Sequence, residues 1–357
     1  MKVCILGNGL SSLSLAKALT NLGIYVDVFS DKKIKNQNKT RTLGISKSNI
    51  DFFNSSILNI EKFLWNISKI EIYSENLNNE KILDFENNKE RLFSIVKNFE
   101  LFKYLLSNLK KNKFFKLKNK FFHKDLNNSN YKLIVNCDSN NEITKKYFFN
   151  KFKKDYKSFA HTTVLKHKKL LNNSVATQIF TKKGPIAFLP ISNSETSVVY
   201  SAVGSNNIDI KKIIQKYNCK YEIINFSETF SFQLSASNLR TYYHNNILAF
   251  GDLLHKLHPL AGQGFNMSLR DIKELTRLIT KRIKNGLEID KSICRDFEKK
   301  VKHKNYLFLN GIDFIYEIFN IENKLNNNIF SKSIKLVGQN KFTNNIFKKF
   351  ADSGMII

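Results

Sequence analysis

Residues 251–271, GDLLHKLHPLAGQGFNMSLRD, gather Gly251, Pro259, Gly262 and Gly264 in a chain with only 13 Gly and 3 Pro among 357 residues. A second glycine pair, Gly7 and Gly9, lies near the amino terminus in KVCILGNGLSSLSLAKALTNLGIYVDVFSD. Glycine has no side chain to act with, so what it offers is bare backbone: amides that can approach a phosphate or a flat anionic ring. Nothing resembles a Ser/His/Asp triad, HExxH or a P-loop, so hydrolase and kinase chemistry lack their residues. Cys4, Cys137, Cys219 and Cys294 are far apart, with no CxxC or Cys/His ligand spacing. Neither a zinc site nor a disulfide framework is expected, and a reducing compartment fits.

Around the first pair the pattern reads strand (3–6), turn, helix (10–22) and strand (24–29), one compact βαβ unit. There Gly7 permits the sharp strand-to-helix turn, and Gly9 lets the backbone approach a pyrophosphate on the helix N-terminus. The third position of the fingerprint is Ser12, small enough for close helix–strand packing, and Leu10 and Ser11 open the helix. The acid expected to hold a ribose at the end of the second strand is replaced by Ser30, followed by Asp31. Either Asp31 reaches over to the ribose, or Ser30 or a water holds it; otherwise Asp31 is a solvated turn residue.

The second glycine group also follows a strand, at 247–250. From Gly264 onward Phe265, Leu269, Ile272, Leu275, Ile279 and Ile283 recur at spacings of three and four, an amphipathic helix. Gly262-Gln263-Gly264 therefore opens a helix, with Pro259 stiffening the approach.

The run G-D-x-x-H-x-x-H-P-x-x-G-Q-G-x-N-x-x-x-x-D resembles the second FAD-binding motif of the flavoprotein aromatic hydroxylases, above all the flavin-dependent polyprenylphenol hydroxylases of ubiquinone biosynthesis. RTLGIS at 41–46, KKGPIAFLPI at 182–191 and NGIDFIYEIF at 310–319 resemble further stretches of that family. The resemblance implies an α/β (α+β overall) architecture like that of p-hydroxybenzoate hydroxylase: a Rossmann-like FAD-binding domain (1–65, 92–152 and 236–285) interleaved with a β-sheet substrate domain (66–91 and 153–235), then carboxy-terminal helices (286–357). It also implies that Asp252, after Gly251, binds the ribityl hydroxyls and that Pro259 lies beside the isoalloxazine. Gly262 and Gly264 would face its pyrimidine end, Gln263, Phe265 and Asn266 would also belong to the cofactor site, and Arg41 would touch phosphate or ribityl groups. His255 and His258 are expected to pack or cap.

The family's Asp-Gly segment is matched by LIVNCDSNNEITKK at 133–146, where Asp138 stands but Ser139 and Lys145 replace Gly and Arg. That puts the nicotinamide-binding mode in question more than the FAD. The stretch before it is short, so a β-meander usual in the family looks trimmed.

A formal charge of +28 invites a nucleic-acid reading, but Lys carries nearly all of it and is dispersed. Lys, Asn, Ile and Phe are inflated together, a compositional bias, and attraction to anionic membrane surfaces is the general consequence. The first 22 residues could pass for a signal peptide, but glycines break the apolar run early. No run of 18 apolar residues exists to span a membrane. The expected location is the cytoplasm, with peripheral contact at the inner face of the membrane. That contact would be made by the tail, where Phe342, Ile346, Phe347 and Phe350 recur at helical spacing with Lys341, Lys348 and Lys349.

The resemblance thus implies FAD as cofactor and NAD(P)H as reductant. The reaction would be hydroxylation of a polyprenylated phenol with molecular oxygen by way of a flavin hydroperoxide, with other ubiquinone-biosynthesis proteins as candidate partners. The chemistry belongs to the flavin, so no catalytic side chain and no metal ligand is nominated. Two alternatives stay open: another flavin oxidoreductase, such as a polyprenyl reductase or a hydroxylase of soluble phenols, and a degenerate FAD-binding subunit without turnover.

Overall fold

The structure is a computed structural model that describes all residues except 31–39, 87–90, 120, 122–130, 205–206, 258–262, 326–327, 341–344, 347, 350–351 and 353–357, and, as side chains, 263, 337 and 339. The strand Lys2–Leu6 buries Val3, Cys4 and Ile5 completely, as a parallel strand covered on both faces must. It lies centrally in a six-stranded sheet ordered Tyr243–His244, Ile247–Ala249, Leu133–Asn136, Lys2–Leu6, Tyr25–Phe29, Phe115–Lys118. All neighbours are parallel except the hairpin of the first two. The helix Leu10–Asn21 packs against the helices Asn98–Lys110 and Gln263–Lys284, so both glycine motifs end in helices that touch each other.

The second sheet is larger and mainly antiparallel. Its order is His255–Lys256, Phe230–Leu239, Lys151–His167, Glu195–Val203, Gly184–Pro190, Val175–Thr181, Lys69–Ser74, Glu80–Glu86, with Ile223–Phe226 beside Lys151–His167. Alternation gives this sheet two different faces. In Glu195–Val203, Val198, Tyr200 and Ala202 pack with Ile210 and Ile214 of the helix Ile210–Tyr217. Ser197, Val199 and Ser201 turn the other way, into a cavity. A small sheet of Thr42–Ser46, Phe93–Lys97 and Trp65–Ile67 helps to wall that cavity through Thr42, Gly44, Phe93 and Ile95.

The long helix Ser292–Leu325 joins the halves. Its first turns bury Ile293, Cys294 and Phe297 in the core of the parallel sheet. Further along, Phe308, Ile312, Tyr316 and Phe319 pack in a second core with Tyr156 and Phe180 from the large sheet.

Candidate functional site: two backbone cradles and one cavity

The first cradle forms at the carboxy-terminal ends of two adjacent parallel strands, where the strand order reverses and ligands of such sheets bind. Gly7 has φ +102° and donates its N–H to Phe29 O at 2.8 Å. A β-carbon there would stand 3.4 Å from Asp138 N, so the first fingerprint and the Asp138 turn lie back to back. Gly9 is the N-cap of Leu10–Asn21, without a side-chain cap bond, and a β-carbon on it would meet no described atom within 4 Å. The first-turn amides of this helix therefore face open space, the arrangement that accepts a phosphate. Ser12 is 1% exposed, and Leu10 packs on the core. A β-carbon on Gly251 would come 3.2 Å from Ser11 Cβ, so two motifs 240 positions apart meet here.

Asp138 anchors its own turn: its carboxylate accepts from Asn140 N at 2.9 Å and its carbonyl from Thr144 Oγ1 at 2.6 Å. Asn141 caps the following helix Glu142–Tyr147, on which Lys145 is exposed. Ser30 ends the second strand with its N–H bonded to Lys118 O at 3.1 Å. Asp31 lies outside the described residues, as do Pro259, Gly262, His258 and the side chain of Gln263. The described carboxylate on that strand is Asp27, 2% exposed, which receives Lys118 Nζ at 2.7 Å, Lys2 Nζ at 2.9 Å and Tyr131 OH at 2.5 Å. Burial opposes its ionisation, but these hydrogen bonds outweigh it and hold the carboxyl below its usual range.

The second cradle opens onto a cavity of about 530 Å³ between the parallel-sheet half and the large sheet. Gly264, in the first turn of Gln263–Lys284, lines it, and a β-carbon there would meet no described atom within 4 Å. Phe265 lines it too while packing on Phe53. Asn266, 1% exposed, is tied into the protein: its Oδ1 accepts from Ser46 N and Asn49 Nδ2, both at 3.0 Å, and its Nδ2 donates to Gly44 O at 2.8 Å. These bonds clamp the RTLGIS strand to the helix start, and Arg41, exposed, reaches the cavity at that strand's end.

Asp252 stands between the cradles. Its exposed side chain lines the cavity. Burial pushes the Cys137 thiol up to about 12; the neighbouring Ser12 hydroxyl opposes that shift, and the charges of Asp252 and Asp138 add to it. An exposed carboxylate at this junction is suited to accepting hydroxyl hydrogen bonds from a ligand that spans both cradles.

His255 is packed into the protein as one half of a buried pair. Its Nε2 lies 2.5 Å from Asp271 Oδ2, both side chains being 1% exposed, and Asp271 Oδ1 accepts from Asn305 Nδ2 at 3.1 Å. This buried pair fixes the start of the Pro/Gly segment to the helix that follows it. Sixteen residues separate the partners, and only the fold brings them together.

The far wall went unread in the sequence. Ile70, Ile72, Phe85, Ala187, Leu189 and Val199 form an apolar face, and Thr162, Ser197 and Ser201 put hydroxyls among them. The signal was period-two alternation in strands whose inward face could not be chosen without the neighbouring sheet.

No protein-family profile matches the chain. Over 233 residues it is 23% identical to the mitochondrial ubiquinone biosynthesis monooxygenase COQ6 of Danio rerio, covering 53% of this chain and 48% of that one. Over 152 residues it is 25% identical to the 3-demethoxyubiquinol 3-hydroxylase of Escherichia coli (strain K12), 40% of this chain and 39% of that one. The chain thus spans about half the length of the first of these relatives and less of the second. Fold likeness extends further. The p-nitrophenol 4-monooxygenase PnpA from Pseudomonas putida DLL-E4 superposes with TM-score 0.77 at 11% identity, covering 99% of this chain and 98% of that one. HpxO of Klebsiella pneumoniae, solved with FAD and uric acid, superposes with TM-score 0.75 at 11% identity, over 99% and 97%.

The chain has the p-hydroxybenzoate hydroxylase-like fold of these monooxygenases. In sequence it is similar to the monooxygenases of ubiquinone biosynthesis.

Proposed function

We propose that the chain is an FAD-dependent monooxygenase that hydroxylates the aromatic ring of a polyprenylated phenol in ubiquinone biosynthesis, with NAD(P)H and molecular oxygen. The observation that carries this reading is the cavity of about 530 Å³ with an open helix N-terminus at Gly264 on one side and an apolar sheet face on the other. When bound, FAD would supply the redox chemistry of hydroxylation, with NAD(P)H as the two-electron reductant and O2 as the oxidant whose second oxygen atom leaves as water.

This chain's residues would bind and orient. Gly7 and Gly9 would present the amides of Leu10–Asn21 to the pyrophosphate. Asp252 would accept from ribityl hydroxyls, and Arg41 would meet phosphate or ribityl oxygens. The helix N-terminus at Gly264 would favour negative charge on the reduced ring by about 0.3–1 kcal/mol, up to ~2 when partly buried. Pro259 and Gly262 would lie beside the ring on the strength of the family resemblance. The apolar wall would exclude water and take the prenyl group, while Thr162, Ser197 and Ser201 offer hydroxyls to a phenol oxygen. A lipophilic substrate further implies contact with a membrane surface or with pathway partners that hand it over.

The departure at Ser139 and Lys145 favours a second reading, an FAD-binding subunit without turnover. A closed, small cavity would instead fit a soluble phenol. The test is the visible spectrum of the purified, FAD-reconstituted protein with and without NAD(P)H in air, followed by product analysis on a short-chain prenylated phenol and its unprenylated parent. Flavin reduction and hydroxylation of the prenylated phenol are expected. Failure to hold FAD sinks the proposal, FAD without turnover favours the second reading, and preference for the unprenylated parent reassigns the substrate.

A further inference from the structure

We propose that the outer face of the helix Ser292–Leu325, extended by the helix Ile329–Gln339, docks on an anionic lipid bilayer. This rests on the reading above, since a lipid-dissolved substrate gives such docking its purpose. The inner face of the long helix is buried, as Phe308, Ile312, Tyr316 and Phe319 show. On the other side Leu307, Gly311, Phe314, Ile318, Ile321 and Leu325 recur at spacings of four and three, which on a helix makes a single stripe about 27 Å long. None of the six joins a hydrophobic core cluster; Phe314 is 66% exposed, Ile321 43% and Leu325 63%. Ile329 at 62% and Leu336 at 69% repeat the pattern one heptad apart on the next helix. Single exposed apolar side chains are ordinary, but a stripe across five turns marks a surface that something covers.

Charge identifies what covers it. Lys300 and Lys304, both exposed, continue the stripe toward its amino-terminal end, and exposed Lys324 and Lys332 flank it. Of the acids on this part of the helix, Asp313 and Glu317 are paired with Lys154, at 2.6 and 2.8 Å, and Glu322 is fully buried, accepting from Ser331 N at 2.9 Å and Ser331 Oγ at 2.6 Å. A chain of net charge +28 repels a second copy of itself and is drawn to anionic headgroups. Lysine stems can lie along apolar surface while their ammonium groups reach water and phosphate. No helix among the described residues is long and apolar enough to cross a membrane, so this helix would lie on the bilayer. The face differs from the tail once expected to do this: Phe342, Phe347, Phe350 and Lys341 lie outside the described residues, and Lys348 Nζ donates to Glu86 O at 2.6 Å.

The test is flotation of the full FAD-loaded chain with phosphatidylglycerol-rich vesicles and with pure phosphatidylcholine vesicles, at low and high salt. Wild type should bind the anionic vesicles and be released by salt. Phe314→Ser with Leu325→Ser should weaken that binding about tenfold or more, since two large apolar side chains leave the interface. Lys300→Glu with Lys304→Glu, both on exposed positions, should weaken it at least about tenfold on anionic vesicles. Melting temperature and bound FAD confirm folding of each variant. Wild-type binding by both double variants, or no binding by wild type at low salt, overturns the proposal. So does a wild-type dimer in sedimentation velocity that Phe314→Ser dissociates without any vesicle binding, which would give the face to a second copy. NAD(P)H oxidation without vesicles reads the proposed enzyme activity separately, so loss of that activity with flotation retained sinks the functional reading and not the docking face.

Discussion

Glycine answers opposite demands in the two sheets. At Gly184, where the strand Gly184–Pro190 begins, φ is +130° and a β-carbon would stand 1.9 Å from Ser201 O, so the neighbouring backbone occupies the space a side chain needs. At Gly9 and Gly264, both at helix starts, a β-carbon would meet no described atom within 4 Å. The large sheet uses its glycine to close on itself. The parallel-sheet half uses its glycines to leave helix amides reachable, the arrangement a bound anion requires.

That contrast separates stability from ligand retention. Gly184→Ala, the largest expected effect, should cost about 3 kcal/mol or more through the clash and the unfavourable φ, read as a fall in the denaturant midpoint. Gly264→Val should change stability by less than about 1 kcal/mol yet lower FAD retention roughly a hundredfold, because the side chain would stand where backbone must meet the ring. Equal retention with a destabilised fold would reverse the comparison. Asp252→Ala should weaken retention by roughly 1.5–3 kcal/mol, the worth of hydrogen bonds to a charged acceptor, while leaving the melting temperature nearly unchanged. Flavin content after gel filtration checks both variants.

The smallest effect tests whether the parallel sheet's buried carboxylate is structural. Asp27 has its folded pKa depressed, so its contribution is complete above the unfolded carboxyl's value near 4 and is lost as pH falls through the lower folded value. Asp27→Asn should therefore cost about 1.5 kcal/mol at neutral pH, with the gap to wild type closing below about pH 4. FAD content should not change. A loss of FAD instead would make Asp27 part of the binding site.

The βαβ unit and the amphipathic helix after Gly264 were legible because periodicity and glycine placement are local properties. The helices Leu10–Asn21 and Gln263–Lys284 and the strand Ile247–Ala249 stand within a residue or so of where the pattern put them. The partner of His255 was not legible, nor was the role of Asn266 in holding Gly44, Ser46 and Asn49, because those contacts span from 16 to more than 200 positions. The same holds for Ser11 against Gly251.

The sequence by itself determined where backbone is laid bare for a ligand, since only glycine and a helix start make amides reachable, and residue type reports both. The tertiary structure alone decided which faces look into the cavity. The strand Glu195–Val203 alternates Val198, Tyr200 and Ala202 with Ser197, Val199 and Ser201, and alternation alone does not say what either side meets. The helix Ile210–Tyr217, by covering Val198, Tyr200 and Ala202, leaves Ser197, Val199 and Ser201 to line the cavity. Burying one face of a strand commits the other, and that choice is made by packing between elements distant in the chain.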